Sequence, residues 1–530
     1  MQDTKETSSR RQNALLRLAN VVVKIVGIAI FLVLVRLSLC YTQYMMPGEI
    51  ERMVTVRDSV PQNLAFLAIW ILIGVFLILL EKKLGETARK RLSVIALIAA
   101  MLVVAVQSFW WIFSAVRVPV GDQAFIYGGA SYFQEGSYAF LDKGGYYYLY
   151  PHQLGLTALM EALFCVVGTY NYMAFEVICA VLAVGIVLAG YLFLKEVTDS
   201  LAAILMYCIS MTACLPMIFY TSWVYGDLPS IFFLLLCAWG LLRLEKTRKL
   251  KWVFVAAFAM MMAMLVRLNS VIFLIAACIV GCLCALQHKN FKLIIALALS
   301  ILLPVIAYGG IYKMYEDRSG FEHFEGIPAV GFIAMGLQEN YLGNGWYSDY
   351  HKTVFWETDC DRQKTAEISE EKIRERLQEF RNDPRMAYQF FYQKMASQWD
   401  APLFQSLYFN GDYSDENMPG QDTLVYKLSH EYFGRALAVA DRLQFIIYAG
   451  MLFYFIFCVK GRSEILWHML VVTVIGGFLF SIFWEAKARY IFPYYILMFP
   501  MAAVGYRELY CSAGQLYSKV RACFLKKNRV

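Results

Sequence analysis

Asp122, Lys487 and Arg489 are the residues of this chain whose types and placement most invite chemistry. Asp122 stands in Val118-Pro119-Val120-Gly121-Asp122-Gln123, where an apolar run over 91–117 gives way to a tyrosine-rich loop. Desolvating a charged side chain costs about 2.5 to 3.5 kcal/mol at mid-membrane and less at the interface, so a carboxylate kept at the lip of an apolar run generally has work to do. A single carboxylate in that position suits a catalytic base. Lys487 and Arg489 lie in Trp484-Glu485-Ala486-Lys487-Ala488-Arg489-Tyr490-Ile491-Phe492-Pro493, between two late apolar runs. Cations bracketed in this way call for an anionic ligand. Arginine offers a planar fork matched to phosphate, lysine adds a point charge, and Tyr490 lies beside both. The plainer alternative is a surface pair between Glu485 and Arg489.

Other polar breaks add binding candidates. Gly144-Gly145-Tyr146-Tyr147-Tyr148-Leu149-Tyr150-Pro151-His152-Gln153 joins an aromatic cluster to a helix start set by Pro151. Tyrosines fit an interfacial belt, and Tyr150, His152 and Gln153 also form the mixture of aromatic platform and hydrogen bonders that a sugar site requires. In Tyr220-Thr221-Ser222-Trp223-Val224-Tyr225-Gly226-Asp227-Leu228-Pro229, Asp227 is placed to cap the helix that follows, with ligand binding as its alternative role. Arg267, in Leu265-Val266-Arg267-Leu268-Asn269, is a further phosphate candidate, or it snorkels or pairs with Asp227. Asp359-Cys360-Asp361 spells D-x-D, but in a segment expected to face away from cytoplasmic nucleotide sugars, and is read as coincidence. No G-x-G-x-x-G, G-x-x-x-x-G-K-[ST] or H-E-x-x-H occurs, which leaves ATP-driven and zinc-protease readings without support.

The elements that must position these residues are transmembrane helices. Of 530 residues, 59% are hydrophobic and 17% charged, and the mean hydropathy is +0.51, beyond the range of soluble globular proteins. Apolar runs fall near 14–40, 63–81, 91–117, 173–195, 200–219, 224–244, 252–267, 270–287, 291–313, 441–459, 464–484 and 489–511. Each approaches the length needed to cross about 30 Å of hydrocarbon. The expected fold is an all-α polytopic membrane protein of about twelve spans. An interfacial or re-entrant helix is expected over 151–168, in the first large outer loop, and a mainly helical outer segment over 314–440. Residues 1–90 read as a two-span extension, 91–313 as a membrane module with outer loop 118–172, and 441–530 as late helices with a basic tail.

Charge orients these spans. The net charge of +7 is concentrated in short loops, at Lys82 to Arg91, Arg243 to Lys251, His288 to Lys292 and Lys460 to Arg462, and at the chain ends. The positive-inside rule puts these loops and both termini in the cytoplasm, and hence Asp122, His152, Arg267, Lys487 and Arg489 together on the other face. This distribution reports topology; it is no nucleic-acid footprint. Most of the 13 cysteines lie within apolar runs and read as buried thiols. The first run follows Arg10, Arg11 and Arg17 without a small-residue cleavage site and reads as a retained anchor.

The order and sidedness of Asp122, Tyr150-Pro151-His152-Gln153 with Gly168 closing its helix, Asp227, and Ala488-Arg489-Tyr490 with Pro493 resemble the GT-C superfamily of integral-membrane glycosyltransferases. The resemblance is to the branch that includes the protein O-mannosyltransferases and the bacterial aminoarabinose transferases of lipid A. The resemblance covers about 91–313, and 464–511 more loosely. It implies transfer of a sugar from a polyprenyl-phosphate or diphosphate carrier to an acceptor hydroxyl on a cell-wall polymer, glycolipid or protein at the outer face of a bacterial plasma membrane. Asp122 would be the base, with Lys487, Arg489, Arg267 and Tyr490 at the donor phosphate and Tyr150, His152, Gln153 and Asp227 at the substrate. Members often carry a second acid beside the first, where this chain has Gln123. No cofactor is implied, and a divalent metal is not supported.

Two other classes compete. A transporter or flippase for lipid-linked sugars predicts inverted repeats and midplane polar residues, whereas the candidates gather at one face. A ligase or polymerase of the O-antigen type would carry its basic and histidine residues in the large outer segment, which holds His323, His351 and His430 without a compact arginine cluster.

Overall fold

The computed structural model describes residues 2–47, 50–115, 118–322, 325–411, 423–459 and 465–527. The architecture is an all-α polytopic membrane protein. Among the described residues, nine helices are long and apolar enough to cross a bilayer, or ten if one bent pair counts as a single span. The bent pair is Leu201–Thr212 followed by Leu215–Ser222, turned by 50°. Pro216 accounts for the break, because its ring and missing N–H interrupt the hydrogen-bond ladder.

Two expected spans differ in form. The run read as 252–267 is a helix of only 16 residues, Lys251–Val266, ended where Arg267 adopts an extended conformation. The last run lies within a 36-residue helix, Phe492–Lys527, that continues into basic sequence. Residues 151–167 form a short apolar helix that starts as a 3-10 turn at Pro151–Gln153.

The 314–440 segment is mainly helical, as expected, with helices Arg362–Asn382 and Pro384–Trp399 at its centre. Each begins at an aspartate, Asp361 or Asp383, whose side chain accepts two backbone N–H groups left free in the first turn. The D-x-D sequence is thereby accounted for: Asp361 is a cap, and Asp359 pairs with Lys143 at 2.6 Å.

This segment is fastened to the membrane helices by buried polar contacts. Lys394 Nζ donates to the carbonyls of Gly336 and Ile482, at 2.5 and 2.9 Å, and Trp399 Nε1 donates to Ser481 Oγ. Burial lowers the Lys394 ammonium to about 7. The loop between the first two helices forms a hairpin that the sequence does not announce, with Tyr41–Tyr44 antiparallel to Val54–Arg57. Gln43 N donates to Asp400 O at 2.9 Å, bringing this loop against the same segment. The first helix packs on Phe433–Phe457, where Phe31 meets the rings of Tyr448 and Phe455.

Candidate active site

A cavity of about 920 Å³ opens at one end of the helices, against the 314–440 segment. Asp122, Tyr150, His152, Gln153, Arg267, Lys487, Arg489 and Tyr490 all line it, although they come from four separate stretches of chain. Asp227 does not reach it. That residue is fully buried behind Arg267, whose Nη1 lies 2.6 Å from Asp227 Oδ1. The expected capping bond is also absent, and Oδ2 accepts instead from Trp223 Nε1 at 3.1 Å.

Gly226 permits this pairing. A Cβ at Gly226 would lie 1.8 Å from the Val266 carbonyl oxygen, so only glycine lets the two turns meet closely enough for the ion pair. Arg267 therefore faces the cavity with its charge already balanced.

Asp122 opens the helix Asp122–Gln134 immediately after Gly121, whose φ of 61° turns the chain off the preceding span. The first turn of a helix favours a negative charge. The Asp122 side chain is 46% exposed and its Oδ2 lies 3.5 Å from Arg489 Nη2. Gln123, in contrast, is fully buried and fixes the helix start, accepting from Val224 N at 2.8 Å and donating to Val120 O.

Arg489 is held by the turn Ala488–Ile491 between two membrane helices. The 314–440 segment grips this turn twice. Ala486 N donates to Gly345 O at 2.8 Å, and Arg489 N donates to Gln405 Oε1 at 3.1 Å. The guanidinium is 5.0 to 5.6 Å from the ring centres of Tyr225, Trp223, Phe409 and Tyr490, and its buried Nε has no hydrogen-bond partner. Aromatic faces stabilise a cation without neutralising it. The expected alternative, a pair between Glu485 and Arg489, is not formed; the carboxylate beside Arg489 is Asp122.

Lys487 pairs with Glu51, at 3.0 and 3.3 Å, and lies over the Tyr347 ring. Burial opposes its charge, yet Glu51 and Glu485 prevail and hold its ammonium above the usual lysine range. Glu51 also accepts from Gln405 Nε2 at 2.9 Å, so Gln405 bridges Glu51 and Arg489. Phe404 and Gln405 both have positive φ, 48° and 62°, a conformation that non-glycine residues rarely adopt and that often marks functional sites.

Glu51, Gln405 and Tyr347 are site residues that sequence reasoning missed, and His351 entered it only as a histidine of the ligase-type alternative. His351 Nε2 is 2.9 Å from Tyr150 Oη, and burial lowers its imidazole to about 3. His152 is likewise held near 4 by burial, so both rings are neutral hydrogen bonders near pH 7. Gln153 Nε2 donates to Tyr225 Oη and lies 3.2 Å from His152 Nε2. Glu485 is 3% exposed, and burial raises its carboxyl to about 7. Tyr490 Oη donates to Glu485 Oε2 at 3.4 Å.

The cavity thus presents a half-exposed carboxylate with a loosely paired arginine beside it, a lysine shared with Glu51, and neutral aromatic and imidazole groups, with Lys352, Arg362 and Glu325 on its outer lining. It is chemically equipped to take a proton from a neutral group next to a bound anion. No curated protein matches this chain. The model of a family described as conserved hypothetical integral membrane proteins matches residues 17–509, and the chain belongs to that family.

Proposed function

We propose that this chain is an integral-membrane glycosyltransferase that moves a sugar from a polyprenyl-phosphate or diphosphate carrier to an acceptor hydroxyl. The observation that carries the reading is the 3.5 Å approach of the half-exposed Asp122 carboxylate to the buried Arg489 guanidinium on one cavity wall. Charge-assisted bonds of this type are usually 2.7 to 2.9 Å, so the pair is loose, and a carrier phosphate is suited to draw Arg489 away from Asp122. Donor binding then frees the base it needs.

In the reaction, the acceptor hydroxyl gives its proton to Asp122 as its oxygen bonds to the anomeric carbon. The bond from that carbon to the phosphate oxygen breaks, and its electron pair leaves with the carrier. The leaving group is already a stable anion and needs no general acid, in contrast to glycoside hydrolysis with its two carboxyl groups. Lys487 and Arg489 stabilise the charge that grows on the phosphate. Arg267, neutralised by Asp227, serves as a polar wall with a lesser electrostatic share. Tyr150, His152 and Gln153 supply hydrogen bonds to hydroxyls.

The basic loops favour an outward-facing cavity in a bacterial plasma membrane, with a cell-wall polymer, glycolipid or protein as acceptor. The test is transfer by purified protein in lipid nanodiscs from a pool of polyprenyl-linked sugars, with products read by mass spectrometry. Asp122→Asn should slow transfer by about 10² to 10⁴ while leaving polyprenyl-phosphate binding intact. Normal turnover by that variant would remove Asp122 from the chemistry and the reading with it.

A further inference from the structure

Away from the cavity, two helix ends bring together a thiol, an imidazole and a carboxylate. Cys284 and His288 are four residues apart on the helix Val271–His288 and therefore share a face. Glu245 reaches them from the end of the helix Asp227–Thr247. Cys284 Sγ lies 3.6 Å from His288 Nδ1, and that nitrogen lies 2.7 Å from Glu245 Oε1. All three donor atoms fall within 4.8 Å of one another. Eighteen residues of helix separate Glu245 from Asp227, about 27 Å at 1.5 Å per residue, so this cluster is remote from the cavity.

We propose that Glu245, Cys284 and His288 form a binding site for a thiophilic divalent cation of the zinc class. Zinc takes sulfur at about 2.3 Å and nitrogen at 2.0 to 2.1 Å in a tetrahedron, which sets the sulfur to nitrogen edge at about 3.5 Å. The observed 3.6 Å matches this edge. To take its own corner the carboxylate withdraws from the imidazole by about 0.6 Å and comes to about 3.6 Å from the thiol sulfur, from which it is now within 4.8 Å. A thiolate with an imidazole selects zinc or cobalt over magnesium or calcium.

A supporting layer is in place. Asn290 Nδ2 donates to Glu245 Oε2 at 2.7 Å, orienting the carboxylate, and Arg248 Nη2 donates to the His288 carbonyl at 2.8 Å, fixing the helix end. Such partners set ligand orientation and tune affinity. Arg243 and Lys246, the nearest cations on the Glu245 helix, are both engaged by Glu196 and do not compete for Glu245. Cys284 is buried whereas the His288 side chain is 38% exposed, so the cation can enter from the His288 side and keep a water as its fourth ligand. Binding releases the Cys284 proton to solvent, and the ion ties two helix ends together.

The test uses the full-length protein, purified in detergent with chelator and then titrated with cobalt(II), followed by zinc(II) competition. The wild type should bind one equivalent, with the visible bands of tetrahedral cobalt and a thiolate charge-transfer band, and zinc should abolish both. Cys284→Ser should lose the charge-transfer band and His288→Ala the equivalent itself. Asn290→Ala should retain the band with affinity reduced about 10- to 100-fold, which guards against a variant that merely misfolds. A wild type that binds no cobalt, or a Cys284→Ser protein that keeps the full thiolate band, would overturn the proposal. Neither result bears on the cavity or its proposed chemistry.

Discussion

Asp122 and Arg489 are 367 residues apart in sequence, yet Asp122 Oδ2 and Arg489 Nη2 lie 3.5 Å from each other on the cavity wall. Two other cations that line the cavity are held more closely, Arg267 by Asp227 at 2.6 Å and Lys487 by Glu51 at 3.0 Å, while Lys352 pairs with Asp349 and the exposed Arg362 lies 3.8 Å from Glu325. Of these five, only Arg489 is both buried and loosely paired; four aromatic rings surround it, and the Asp227 and Glu485 carboxyls act on it without direct contact. Its charge is therefore the most available to an incoming anion.

Arg489→Ala should consequently weaken polyprenyl-phosphate binding on the order of 100-fold, the value of about two to three kcal/mol for a charge-assisted contact. Arg489→Lys keeps the charge but loses the fork and the stacking on Trp223 and Tyr225, and should fall between, at about tenfold. Titration of polyprenyl phosphate against the purified variants checks both. Unchanged affinity in Arg489→Ala removes this residue from the proposed phosphate site.

Glu51 makes an opposite prediction. It engages Lys487 with its carboxylate and so competes with any phosphate for the same ammonium. Glu51→Gln should tighten polyprenyl-phosphate binding severalfold, about 1 kcal/mol for a mostly buried pair, and slow carrier release after transfer. Lys487→Met should weaken binding. Equal losses from both substitutions would mean that Glu51 serves only to position Lys487.

The contrast between Glu51 and Arg489 marks how far the site was legible in sequence. Asp122, Tyr150, His152, Gln153, Arg267, Lys487, Arg489 and Tyr490 each sit in a polar break between apolar runs, and alternation of crossings assigns those breaks to one face. Their convergence on one cavity follows from that periodicity. Glu51 is one of three acids in its loop, with Glu49 and Asp58, and no local pattern singles it out; its role exists only through contacts with Lys487 and Gln405, 436 and 354 residues away. Gln405 and His351 are hidden for the same reason, since nothing local to the 314–440 segment says which of its polar residues turns toward the membrane helices. The strands Tyr41–Tyr44 and Val54–Arg57 are four residues each, too short for alternation to announce them. In the run over 252–267 hydropathy was legible, but the helix length was not, because Arg267 leaves the helix to meet Asp227.

Glu485 should make anion binding depend on pH. Burial raises its carboxyl to about 7, against the opposing pull of Lys487 and Arg489, while Glu51 and Asp122 push the same way as burial. It is thus protonated below about pH 7 and becomes an anion above it, beside the two cations that would hold a phosphate. Affinity for an anionic ligand should fall as pH rises through 7, by about tenfold for each unit by which the ligand raises the carboxyl's proton affinity. A polyprenyl-phosphate methyl ester, a diester with one fixed charge, keeps the ligand's own titration out of the measurement. Glu485→Gln should flatten the profile at the high, low-pH affinity; a wild-type profile already flat between pH 6 and 8 would refute the assignment.

Asp227 and Arg267 separate stability from function. Asp227→Asn leaves the buried Arg267 guanidinium without its counter-charge, and breaking one side of such a pair costs about 3 to 5 kcal/mol. The variant should therefore unfold at a markedly lower temperature. Replacing both partners with apolar residues of similar volume, Asp227→Leu with Arg267→Met, removes the stranded charge and should recover much of that loss, because buried pairs are often no more stabilising than apolar packing. Arg267 also lines the cavity, however, and its guanidinium lies over the Tyr490 ring at 5.7 Å. If the recovered double variant binds polyprenyl phosphate as the wild type does, Arg267 is a scaffold for the turn and no part of the proposed phosphate site. A loss of affinity in a protein with restored thermal stability would instead assign Arg267 a share in holding the anion that its pairing with Asp227 only partly masks.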